Sequence, residues 1–304
     1  MTYLSKIIKQ TAFSMQQYID FSDPDRACDA LDAMGFIPRA GEDQASFLER
    51  AKREFPASLP DDVKAEFKND LPIPPEILQE GAARTEALFG FSAVNVPGYF
   101  LKRGMGLLWA GCSFSDETGL RVIALRNGFA KSRRWFIYDR AELLAHEQVH
   151  AMRTSVDDEE TYEEHFAYMT SSSAFRRFTG NCFRNKTDSM IFLAGLGLLF
   201  LAELAVMFRI MPELNLNYFL LIALIYPACL LLQNIFTRRT YFRARKNLAA
   251  AGCPKPDALL CRSTAGEIDR IAKLKGQDLA DLLEKLNRTE LRWTIALRRF
   301  GAKK

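Results

Sequence analysis

The stretch 138–177, YDRAELLAHEQVHAMRTSVDDEETYEEHFAYMTSSSAFRR, decides how the rest of the chain is read. It contains His146-Glu147-Gln148-Val149-His150, the HExxH pattern. On a helix, residues four apart lie one above the other, so the two imidazoles face the same way and can share one zinc ion, with Glu147 beside it. Local signals predict that helix. Asp139 followed three residues later by Glu142 forms a capping box, and Leu143, Leu144, Val149 and Met152 supply a buried side. The chain has only 3 histidines in 304 residues. All of them, His146, His150 and His165, fall in this stretch, and that clustering strengthens the pattern against its plain reading, two surface histidines on an ordinary helix.

Catalytic zinc takes three protein ligands and leaves a fourth position for water, so a third ligand is expected nearby. The run Thr154-Ser155-Val156-Asp157-Asp158 reads as a turn ending the first helix. Asp157 with Glu160 forms a second capping box, and a second helix is expected from about Asp158, with Tyr162, Phe166 and Met169 on its inner side. Glu164 is the expected third ligand. Glu163, about 100° away around the helix axis, is the runner-up, and His165 follows. The plainer account of the acidic cluster is charge stabilising a helix N-terminus, which suits Asp157 to Glu160 better than Glu164.

HEQVH, a tight turn, then Glu164-His165-Phe166-Ala167 resembles the zincin metallopeptidases of the glutamate-ligand kind, in which the second helix supplies a glutamate followed three residues later by alanine. Membrane-bound members, the prenyl-protein peptidases and their bacterial heat-shock relatives, carry aspartate after that alanine, where this chain has Tyr168. The resemblance covers about forty residues. It implies an α+β zincin-like metallopeptidase domain, a small antiparallel sheet plus active-site helices, with an edge strand that binds substrate backbone by strand addition. Zinc on His146, His150 and Glu164 would lower the pKa of bound water and polarise a scissile carbonyl, with Glu147 as general base: peptide hydrolysis of a protein or peptide substrate. Tyr162 and Tyr168 are candidates for stabilising the oxyanion.

Upstream, 1–90 reads as a helical N-terminal region without an export signal. Its helices are expected at Asp25–Met34, Glu42–Phe55, Asp61–Phe67 and Pro75–Leu88. From Val94 the pattern turns strand-like, at Tyr99–Lys102, Leu107–Phe114, Leu120–Arg126 and Arg134–Tyr138. Leu120–Arg126 is the expected edge strand, and 91–186 the expected catalytic domain.

Downstream, 189–208 and 218–236 are apolar on every side, and each is about 30 Å long as a helix, enough to cross a bilayer. They make 187–237 a transmembrane hairpin that contacts membrane lipid. Basic residues flank the pair, with Arg209 alone in the loop, so both termini and the catalytic domain are expected in the cytoplasm, at a bacterial inner membrane. Glu203 within the first span is costly in lipid and so a functional candidate; the favoured reading is structural, a protonated side chain satisfied inside the hairpin near the Ala223 carbonyl that Pro227 frees. The region 238–304 reads as helical and cytoplasmic, with a Thr264/Glu267 capping box and with Trp293 among basic residues, a candidate for headgroup contact. A net charge of +4 gives no reason to expect nucleic acid. Other classes remain in view: a deformylase-like site using Cys112, and a non-catalytic membrane-anchored adaptor with a structural or decayed metal site. A di-iron bundle fails because Tyr162, not glutamate, precedes His165 by three.

Overall fold

The computed structural model describes residues 19–54, 65–103, 105, 109–115, 121–156 and 161–302. The part of the expected N-terminal helical region before residue 19, the expected helix start at Asp61, the expected strand starts at Leu107 and Leu120, and the Asp157/Glu160 box lie outside them. The protein is a mixed α+β structure, mostly helical, with two long apolar helices.

Asp23 opens α1 (Pro24–Ala33), its carboxylate accepting from the Arg26 N–H while proline fills the first helical turn. Helix α2 (Gln44–Glu54) packs on α1 through Leu31, Phe36 and Phe47, and Ile295 from the far end of the chain closes this cluster. A short strand that the sequence reading did not anticipate, β1 (Leu71–Pro72), precedes α3 (Pro75–Phe89), which ends at Gly90 in the left-handed conformation, φ 70°.

Strands β2 (Gly98–Leu101), β3 (Gly111–Ser115) and β4 (Arg121–Arg126) join β1 in the order β1-β2-β4-β3. Two expectations fail here. The sheet is mixed, not antiparallel, because β2 and β4 run parallel. And β4, the expected edge, is central. Val122, Ile123, Ala124 and Leu125 are buried at consecutive positions, and a strand covered on both faces belongs in the middle of a sheet. The edge beside the long helix below is β3.

After α4 (Gly128–Lys131), the segment read as one strand is a hairpin of β5 (Arg134–Trp135) and β6 (Tyr138–Asp139), turning at Phe136 and Ile137. It delivers the chain into α5 (Arg140–Arg153). The expected second helix is short, α6 (Glu163–Met169), with no side-chain cap. Helix α7 (Ala174–Thr179) and a single 3-10 turn follow.

The hairpin is formed by α8 (Lys186–Met207) and α9 (Leu216–Ala250), both long and apolar enough to span a membrane. They pack closely where Gly195 meets Ala223, since a Cβ on Gly195 would sit 3.5 Å from the Ala223 Cα. Helix α9 runs unbroken through the expected boundary at 237/238. Glu203 departs from expectation: Ala202 is buried, whereas Glu203, one residue and about 100° further round, is exposed and so does not sit inside the hairpin.

Helices α10 (Pro256–Cys261), α11 (Ala265–Lys273), α12 (Gly276–Thr289) and α13 (Leu291–Phe300) complete the chain. The Thr264/Glu267 capping box forms in full at α11. Trp293 does not meet headgroups. It is buried, donating to Glu267 Oε1 at 2.8 Å. The largest core joins residues from Ile37 to Phe300, so the C-terminal helices pack into the same interior as α3, α5 and α6.

Candidate metal centre

Asp139 starts α5 by accepting from the N–H groups of Ala141 and Glu142. This is half of the expected capping box: the Glu142 carboxylate instead takes hydrogen bonds from Ser171 and Ser172, tying the segment after α6 back to α5. Leu144, Val149 and Met152 bury one side of α5, and Gln148 Nε2 donates to the Leu78 carbonyl of α3 at 3.1 Å. Packing on that side turns His146 and His150 toward α6.

Their Nε2 atoms lie 3.1 Å apart. The Glu164 carboxylate meets both, Oε2 at 3.7 Å from His146 Nε2 and Oε1 at 3.6 Å from His150 Nε2. Ligand bonds of ~2.0–2.1 Å in tetrahedral geometry put neighbouring donors about 3.3 Å apart. His146, His150 and Glu164 could therefore hold a metal ion, and among the described residues they are the one such group.

Glu163 lies on the other side of His150, its Oε1 2.8 Å from Nδ1. Glu163 is thus outside the group that could hold a metal ion, and its contact fixes the His150 ring from the far side. His146 is held in the same manner by the backbone of Ala167. Burial lowers the proton affinity of His150, but the Glu163 hydrogen bond and the charges of Glu164 and Glu147 outweigh it and raise the pKa to about 9. Burial, then the neighbouring His150, keeps His146 well below the usual imidazole range. The carboxylates that raise the His150 pKa also make the group's surroundings negative, as a cation requires.

Glu147 is outside the ligand set. Its buried carboxylate accepts from the hydroxyl and backbone of Ser113 on β3, and burial raises its pKa to about 7 against those hydrogen bonds. Sequence reasoning missed Ser113; its link to Glu147 spans two elements with no shared motif. Cys112, next to it, is pushed up to about 11 by burial and then by Glu147, so it is a thiol, and it is not in the metal-binding group.

The tyrosines separate. Tyr162 is buried and donates to Asp269 at 3.2 Å. The Tyr168 ring stands edge-on to His146, centroids 4.7 Å apart. Gly180 makes room for it, since a Cβ there would lie 2.2 Å from the ring. His165 is buried away from the metal group, among Tyr162, Phe166 and Tyr241, and burial drives its pKa to about 3.

No protein-family model matches this chain, and comparison with curated proteins and with solved structures finds no similar protein.

Proposed function

We propose that the protein is a membrane-anchored zinc metallopeptidase of the zincin kind, cutting peptide bonds in cytoplasmic or membrane-proximal segments. The observation that carries this reading is the convergence of His146 Nε2, His150 Nε2 and the Glu164 carboxylate at donor spacings of 3.1 to 3.7 Å, with Glu147 adjacent and outside the set. Two imidazoles and one carboxylate are the donor set of a catalytic zinc with an open fourth position. Zinc held there would supply Lewis acidity to a water molecule and to a scissile carbonyl.

Glu147 takes the proton of the attacking water and returns it to the leaving amine. Burial favours the protonated form of this carboxyl, which suits a group that must hold a proton between accepting and returning it. Ser113 keeps its carboxylate aimed from β3, and Tyr168, whose ring stands against His146, would be the tyrosine that donates to the oxyanion, since Tyr162 is engaged with Asp269. The edge strand β3, in place of β4, would receive extended substrate backbone. Helices α8 and α9 anchor the domain, and the basic residues beyond both helix ends favour a cytoplasmic site.

The test is metal content and peptide cleavage by the full chain, wild type beside Glu147→Gln and Glu164→Gln. Zinc bound by wild type and Glu147→Gln, cleavage abolished by chelation, and a loss of about 10²–10⁴-fold in Glu147→Gln support the proposal. Metal without cleavage in the wild type would favour the membrane-anchored adaptor, with a structural metal.

A further inference from the structure

Three exposed apolar side chains outside the two long helices lie on the β5–β6 turn and on α7, which touch each other. Phe136 and Ile137 at the β5–β6 turn are 86% and 60% exposed, and Phe175 on α7 is 75% exposed. Phe136 adopts φ 51°, a left-handed conformation that a bulky side chain takes at a cost. The turn is fixed in place: Arg176 of α7 donates to the Ile137 carbonyl and lies over the Tyr138 ring.

The level of α7 is set by α9. Asn234 donates to the Phe178 carbonyl at 2.6 Å, and Arg238 donates to the Arg177 carbonyl at 2.6 Å. Asn234 and Arg238 bracket the point where α9 passes from its apolar run, ending at Phe236, into Arg238, Arg239 and Arg243. That change of composition marks the boundary between hydrocarbon and headgroups on the basic side of a spanning helix. Arg134, two residues before Phe136, is exposed, and so are Arg239 and Arg243, which follow the α7 contact of Arg238 along α9.

We propose that the β5–β6 turn and α7 form a membrane-interface anchor, with Phe136, Ile137 and Phe175 entering the headgroup region of an anionic leaflet beside the spanning pair. Exposed apolar side chains at the level where α9 turns basic fit a lipid surface, where the rings leave water and guanidinium groups of α9 meet phosphate. Because β6 leads directly into α5, the anchor fixes the height and tilt of the metal centre over the bilayer. The inference rests on α8 and α9 spanning the membrane and is independent of the metal chemistry.

The test uses the full chain carrying Phe136→Trp, reconstituted in vesicles of phosphatidylcholine and phosphatidylglycerol, with wild type as baseline for the three native tryptophans. The added emission is expected to be blue-shifted, shielded from iodide, and quenched by lipids brominated close to the headgroup. Phe175→Trp repeats the measurement at a residue whose backbone is helical, which keeps the test open where the strained turn does not accept tryptophan. Emission characteristic of water, quenched by iodide and indifferent to brominated lipid in both variants, would overturn the proposal and point to a protein partner for the patch. An alkaline carbonate wash separates the two failures. Chain that resists extraction while its added tryptophans stay aqueous refutes the anchor alone; chain that washes off refutes the spanning hairpin, and the anchor with it.

Discussion

Glu163 and Glu164 are neighbours in the chain yet meet His150 on opposite nitrogens. The consequences of removing them should differ. On the proposed metal site, Glu164→Gln would remove an anionic ligand, whereas Glu163→Gln would leave the ligand set whole and remove the group that fixes the His150 ring. Zinc affinity, titrated against a competing chelator, is expected to fall about 10–100-fold in Glu163→Gln and further in Glu164→Gln. Equal affinity in wild type and Glu163→Gln would show that the 2.8 Å contact orients nothing. At this scale the histidines and the glutamate were legible, because helical spacing is a local property. Ser113, Gly180 and the Ala167 carbonyl were not: each reaches its partner across a gap that only the folded chain closes.

Among elements, the contact that sets the site is α3 against α5. A Cβ on Gly81 would lie 2.6 Å from the Leu144 Cβ and 2.7 Å from the Ala145 backbone nitrogen. Backbone cannot yield as a flexible side chain does, so Gly81→Ala forces the helices apart. A loss of about 1–3 kcal/mol is expected in thermal or denaturant unfolding, accompanied by weaker zinc binding as His146 shifts. Asp139→Ala tests the start of the same helix, at an expected cost of ~1 kcal/mol from its lost cap. The helices α1, α3, α5, α8 and α9 were readable from caps, periodicity and apolar runs. The sheet was not. Neighbours and direction depend on pairing between distant segments, which is why β4 read as an edge although its burial on both faces puts it in the centre. Trp293 misled for a similar reason: its basic neighbour Arg292 is buried too, and both bind Glu267.

At the scale of the whole molecule, both ends of the described chain are locked onto one interior. Arg262, buried, donates to Asp32 at 2.7 Å, and Arg299 pairs with the same carboxylate. Removing one partner leaves the other charge buried and uncompensated, so Asp32→Ala is expected to cost about 3–5 kcal/mol in unfolding. Asp32 lies more than two hundred positions from either arginine, beyond the reach of any local pattern. Helix α9 ties this interior to the hairpin. Its 35 residues form a rod of about 52 Å. Tyr241, on that rod, presses on His165 and Phe166, and Glu164 is the residue just before them. With its apolar run in a bilayer, as proposed, this rod would act as a lever: a bilayer too thin or too thick for the run would re-angle it, and the Glu164 carboxylate would shift with it. On the proposed function, turnover in vesicles of graded acyl length is expected to peak at one thickness, which would make the lipid itself a setting for the chemistry.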